Sequence, residues 1–183
     1  MIYLIGGAPR AGKSILAQQI AAKLNAGWIS TDLLQELLRV KNDEGVKRAW
    51  NTAPAAITAN AEWFLPYLER FIWGVSSLAE QYVIEGVDFL PAQVAQLALQ
   101  YRIRSVFLGC SGMTLERLDQ FPGRSPGYSG LPEPMRRQIV QDVPLWSEFI
   151  RQECERFHYP YVDTLSGFPD RLQEAEALLT TAL

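Results

Sequence analysis

The chain has 183 residues, 48% of them hydrophobic and 20% charged, with a formal net charge of −3. That length and apolar content suit one compact domain with a sizeable core, and 13 glycines with 11 prolines exclude a collagen-like or disordered chain. Two cysteines and one histidine exclude a disulfide framework and a four-thiolate zinc site, and argue against a multi-histidine metal centre or a Ser-His-Asp triad.

Ile2-Tyr3-Leu4-Ile5 is an apolar run of β-formers ending at Gly6-Gly7, the pattern of a buried strand. A helix is expected next, with Ile15, Leu16, Ile20 and Leu24 on one face and Asn25-Ala26-Gly27 as its stop. Trp28-Ile29-Ser30 reads as a second strand, and Thr31-Asp32 opens a helix carrying Leu33, Leu34, Leu37 and Leu38. Residues 46–81 read as mostly helical, interrupted near Pro54 and kinked at Pro66, with Phe64, Leu68, Phe71, Val75 and Leu78 as an apolar stripe. Tyr82 to Gly86 is strand and then turn, 91–102 helix, Ile103 to Leu108 strand, and Thr114 to Phe121 helix. Pro122 to Pro134 holds four prolines and three glycines in 13 residues and cannot be regular structure. A helix from Met135 to Phe157, a strand Tyr161-Val162-Asp163 and a helix over 169–182 complete the reading.

Strands alternating with helices imply a five-stranded parallel sheet covered on both faces, a three-layer α/β sandwich. No repeat or composition break divides it, so 1–183 is read as a single domain. No apolar run reaches membrane-spanning length, and Met1 to Ile5 is too short and uncharged for a secretory signal, so a reducing, cytoplasmic setting without a membrane is expected. The mild acidity argues against a nucleic-acid partner, although residues 1–60 carry seven Lys/Arg against four Asp/Glu. In such a sheet, ligands sit beyond the carboxyl ends of the strands.

After the first strand comes Gly7-Ala8-Pro9-Arg10-Ala11-Gly12-Lys13-Ser14, a complete G-x-x-x-x-G-K-S (Walker A, or P-loop) pattern with a strand before it and a helix after. The glycines let consecutive amides turn inward on a phosphate, and the helix N-terminus adds partial positive charge. Lys13 can reach the β- and γ-phosphates and the Ser14 hydroxyl can ligate Mg²⁺. Ile15 completes the set of residues expected to line the nucleotide. The competing reading is a glycine-rich turn with an incidental Lys-Ser.

In these residues, in its size and in its loop-then-long-helix order, the chain resembles the small P-loop kinases of the adenylate-kinase-like group. These include nucleoside monophosphate kinases, shikimate and gluconate kinases and polynucleotide 5′-kinases. The segment Val83-Ile84-Glu85-Gly86-Val87-Asp88-Phe89-Leu90-Pro91 is similar to one in 2-phosphoglycerate-kinase-like proteins. The resemblance implies a P-loop NTPase fold of the nucleotide-kinase type, with ATP and Mg²⁺ as cofactors. It also implies a helical acceptor-binding region at 40–81 and a lid-like loop at 122–134.

Residue by residue, it implies that Asp32 faces the acceptor hydroxyl as general base or orients it. The alternative for Asp32 is a helix N-cap, with Gln35 completing a capping box. Glu85, at the end of the third strand, stands where an acidic residue holds Mg²⁺ directly or through water, and Asp88 competes for that role or for substrate. Arg124 lies in the lid segment, with Arg136 and Arg137 beyond it as competing closing cations, and Arg117 matches the place of an arginine laid over adenine. Each of these has the alternative of an ordinary surface ion pair. Arg10 flanks the phosphates and Arg39 meets an anionic acceptor. Backbone groups of Thr164-Leu165-Ser166-Gly167-Phe168 are positioned for the purine. Of the aromatics Trp50, Trp63, Phe64, Tyr67, Phe71 and Trp73, most are expected in the core, with Trp63 and Tyr67 as pocket wall. Cys154 and His158 are read as structural.

The expected function is an ATP- and Mg²⁺-dependent kinase, monomeric or homodimeric, acting on a small-molecule acceptor hydroxyl or phosphate. The alternatives are a nucleotide-dependent ATPase or regulatory switch, and a polynucleotide 5′-hydroxyl kinase.

Overall fold

The computed structural model describes residues 1–40, 52–78, 80–120 and 130–181, Arg39 by its backbone alone. Among the described residues the chain forms β1 (Ile2–Gly7), α1 (Lys13–Leu24), β2 (Gly27–Ser30), α2 (Thr31–Arg39), α3 (Pro54–Leu78) and β3 (Tyr82–Glu85). It continues through α4 (Pro91–Ala98), β4 (Ile103–Gly109), α5 (Leu115–Gln120), α6 (Glu133–Phe157), β5 (Tyr161–Asp163) and α7 (Phe168–Thr180). The five strands make one sheet in the order β2-β3-β1-β4-β5, with every pairing parallel. α1 and α7 cover one face, and α4 and α6 cover the other, with α3 against α4.

The central strands are apolar throughout because both their faces are covered: Leu4, Ile5, Val83, Ile84, Val106, Phe107 and Leu108 are all fully buried. β2, at the edge, stays partly open, and Trp28 is exposed. The strand order follows from the chain going first from β1 to the edge strand β2, returning through β3, and then crossing β1 to reach β4. That reversal at β1 is the topological switch point where open α/β sheets bind ligands. The register sets Ile5, Ser30 and Glu85 level, so the segments after β2 and β3 leave the sheet side by side at this point.

The expected elements are present, with altered ends and faces. β1 extends to Gly7 because Gly6 and Gly7 still pair with Phe107 and Leu108. α3 begins at Pro54 and runs on through Pro66; residues 46–51 of the expected helical stretch lie outside the described residues. The α3 stripe is Ile57, Ala61, Phe64, Leu68, Ile72 and Val75, which keeps the helical period better than the expected set. Phe71 is only half-buried and Leu78 is exposed in the last turn. α1 buries Leu16, Ala17, Ile20 and Ala21, leaving Ile15 on the open side. α4 stops at Ala98, where the amides of Gln100 and Tyr101 both turn back to the Leu97 carbonyl. Trp73, one of the aromatics of which most are expected in the core, is exposed with Arg70 over its ring at 4.1 Å. His158 caps α6 in the left-handed region, and burial pushes the Cys154 thiol up to about 12, so both read as structural.

Gly7 is required by both torsion and space. Its φ is +129°, and a Cβ there would lie 2.0 Å from the Leu108 carbonyl oxygen, which is backbone and cannot yield. Gly7→Ala is therefore expected to lower stability by about 3 kcal/mol or more, from strain and overpacking together. A loss below about 1 kcal/mol in urea denaturation would contradict this close approach.

Candidate active site

The loop between β1 and α1 is shaped by two left-handed residues, Arg10 at φ 64° and Gly12 at φ 97°. Gly12 is the N-cap of α1, and its carbonyl accepts from the amides of Ile15 and Leu16, each at 3.1 Å. The first amides of a helix have no intrahelical partner, so those of the α1 start are available to an anion. Ala8 differs from expectation: its amide donates to the Leu108 carbonyl at 2.8 Å and continues the sheet, so the phosphate cradle begins after it. The Ala8 carbonyl instead accepts from Lys13 Nζ at 2.7 Å. Lys13 is only 7% exposed, with its ammonium hydrogen-bonded across the loop it belongs to.

Ser14, on the first turn of α1, donates its hydroxyl to Glu85 Oε1 at 3.0 Å. Glu85 is 3% exposed and ends β3, the strand beside β1. A hydroxyl oxygen and a carboxylate oxygen thus meet at the mouth of this loop, hard donors of the kind that could hold Mg²⁺. Of the two acidic candidates, Glu85 bonds the Ser14 hydroxyl. Asp88 is fully buried and held elsewhere, accepting from Thr31 Oγ1 at 2.5 Å and from Asn60 Nδ2 at 3.0 Å. Gly86 allows this packing, since a Cβ there would lie 1.9 Å from Thr31 Oγ1. Asp32 is exposed beside this cluster. It is not the helix cap expected as its alternative: Ser30 is the N-cap of α2 and its Oγ accepts from the Asp32 amide at 3.3 Å.

On the far side of the loop, the segment after β5 packs directly against it. Thr164 is buried, and its Oγ1 donates to the carbonyls of Gly109 at 2.9 Å and Ala11 at 3.2 Å. Phe168 lies against Gly12. Arg117, on α5, donates to the carbonyls of Thr164 and Leu165 and stands 5.9 Å from the Phe168 ring. The structure therefore gathers Arg117, the 164–168 loop and the phosphate loop at one place. Arg136 is paired with Asp119, and Arg137 with Glu133. Trp63 and Tyr67 are half-buried, with ring centroids 5.2 Å apart, on the α3 face that also carries Asn60. Arg124, Trp50, the Arg39 side chain and most of the 122–134 segment lie outside the described residues. Sequence reasoning missed Asn60 and the hydroxyls of Thr31 and Thr164, because a single polar residue with a distant partner leaves no local pattern.

No protein-family model matches the chain, and no curated protein matches it. Solved structures do. A shikimate kinase from Bacteroides thetaiotaomicron is similar with a TM-score of 0.56 at 16% identity, over 99% of both chains. A gluconokinase from Sinorhizobium meliloti 1021 gives 0.53 at 15% identity, over 97% of this chain and 90% of that one. A shikimate kinase from Acinetobacter baumannii in complex with shikimate gives 0.50 at 19% identity, over 97% and 90%. The architecture is a five-stranded parallel P-loop fold with helices on both sides. It is a fold shared with that shikimate kinase and that gluconokinase.

Removing the Asp88 carboxyl would leave the buried donor Thr31 Oγ1 and the half-buried donor Asn60 Nδ2 without this acceptor. Asp88→Ala is expected to destabilise the protein by about 2–4 kcal/mol. A change under about 1 kcal/mol in equilibrium unfolding would show that this cluster does not brace the fold.

Proposed function

We propose that the protein is an ATP- and Mg²⁺-dependent phosphotransferase acting on a small-molecule acceptor hydroxyl or phosphate. The observation that carries the reading is the Ser14–Glu85 hydrogen bond, with Lys13 spanning the same loop. The kinase folds of the similar structures support it.

Lys13 and the amides beyond Ala8 hold the β- and γ-phosphates, with Pro9, Arg10, Ala11, Gly12 and Ile15 shaping the loop around them. A phosphate oxygen takes the place of the Ala8 carbonyl as a partner of Lys13 Nζ. Ser14 and Glu85 would hold Mg²⁺, which when bound neutralises developing phosphate charge. Asp32, exposed at the α2 start, takes the proton of the attacking hydroxyl. Arg117 and the 164–168 loop border the nucleotide base. Closing cations come from Arg124 or from Arg136, whose partly exposed pair with Asp119 contributes at most about 1 kcal/mol and yields readily to a phosphate. The acceptor lies along 40–81, where Trp63 and Tyr67 form a wall, Arg39 meets an anionic group and Asp88 sets the position of its neighbours. No helix among the described residues is long and apolar enough to cross a membrane.

The test is a coupled assay with MgATP against sugars, sugar acids, phosphorylated acids, nucleosides and 5′-hydroxyl oligonucleotides. Acceptor-dependent ADP formation is expected. ATP consumption that no acceptor changes would favour a regulatory ATPase, and turnover confined to oligonucleotides would favour a polynucleotide kinase. Lys13→Ala is expected to lower turnover by about 10²–10³-fold, the range for losing one preorganised charge-stabilising donor. Asp32→Asn is expected to keep the nucleotide Kd and lose about 10²–10⁴-fold in kcat. Unchanged transfer by the Asp32 variant would reject its assignment as base.

A further inference from the structure

Gln35 is 2% exposed on α2, and its Nε2 has no hydrogen-bond partner among the described residues. A buried amide donor that has left water without gaining a partner weakens the fold. Such a group in a native chain calls for an explanation, and a ligand that completes it is one. The capping box expected from sequence would not account for it, because such a box uses the Gln35 Oε1 acceptor and leaves the Nε2 donor unserved, and Ser30 Oγ already accepts from the Asp32 amide.

The position of Gln35 ties it to the site. Residues four apart share a helix face, so Gln35 lies on the face of α2 that Thr31 turns towards Asp88. Asp88 also binds Asn60, on the α3 face that carries Trp63 and Tyr67. Asp32, three residues before Gln35, is its neighbour on the other flank. The orphaned amide is thus one helical turn from both the proposed base and the contact that joins α2 to α3.

We infer that Gln35 is a specificity-determining residue of the acceptor site, donating through Nε2 to an acceptor oxygen other than the attacking one. A neutral amide matches a hydroxyl or carbonyl oxygen, whereas carboxylates and phosphates recruit arginine or lysine. The inference rests on the kinase reading above.

Gln35→Met keeps the side-chain length and removes the amide, while Gln35→Glu keeps the shape and removes the donor. Both are assayed with MgATP and every acceptor that the wild-type protein turns over, shikimate and gluconate being tried first. Each variant is expected to raise the acceptor KM about tenfold or more, with the MgATP Kd unchanged. Gln35→Met is expected to keep or raise Tm, since it removes an unsatisfied buried donor. A lowered Tm with an unchanged acceptor KM would mean that the amide serves the fold, and would overturn the inference. Unchanged KM in both variants of an active enzyme would overturn it while leaving the kinase reading intact. A wild-type protein that turns over no acceptor would overturn the kinase reading and this inference with it.

Discussion

The Ser14–Glu85 hydrogen bond is the contact around which the site is organised. It joins the first turn of α1 to the end of β3 across 71 positions of sequence. It exists because β3, not β2, lies beside β1. Were the strands laid down in chain order, the hydroxyl would face the end of β2, where Ser30 offers no charge. The parallel register then brings Ile5 and Glu85 level, so the carboxylate arrives at the height where the phosphate loop begins. The oxygen pair is thus a consequence of sheet topology as much as of the two residues that form it.

The side of the site proposed for the acceptor has its own anchor in Asp88. Its carboxyl gathers the start of α2 through Thr31 and the body of α3 through Asn60, and Gly86 leaves the room that this convergence needs. Asp32 therefore leaves the sheet from a backbone held on one side by β3 and on the other by a buried carboxyl. A flexible loop would give the proposed base many positions, whereas this arrangement gives it few.

The order of elements was legible in the sequence because central strands buried on both faces read as continuous apolar runs, and the P-loop pattern carries its own structural context. Boundaries and faces were less legible. Phe71 and Leu78 continue a stripe by residue type, yet the helix drifts so that Ile72 turns inward and the last turn meets solvent. Ala8 matched the motif, but its amide belongs to the sheet ladder, a fact decided by the neighbouring strand β4. Asp32 and Gln35 matched a capping pattern that Ser30, one of several adjacent residues with capping chemistry, in fact fulfils. The contacts of Asp88 with Thr31 and Asn60 depend on elements brought together only in the folded chain, and no spacing rule reaches that far.

The tie between Thr164 and the Ala11 carbonyl spans 153 residues. Lys23 and Glu176 link the same two ends of the chain a second time. During ribosomal synthesis, residues 7–14 are made well before Thr164, which buttresses them from 153 residues downstream of Ala11. The nascent loop must therefore wait for a distant downstream segment before it takes its final form, and a chain cut short before Thr164 would leave the loop without this support.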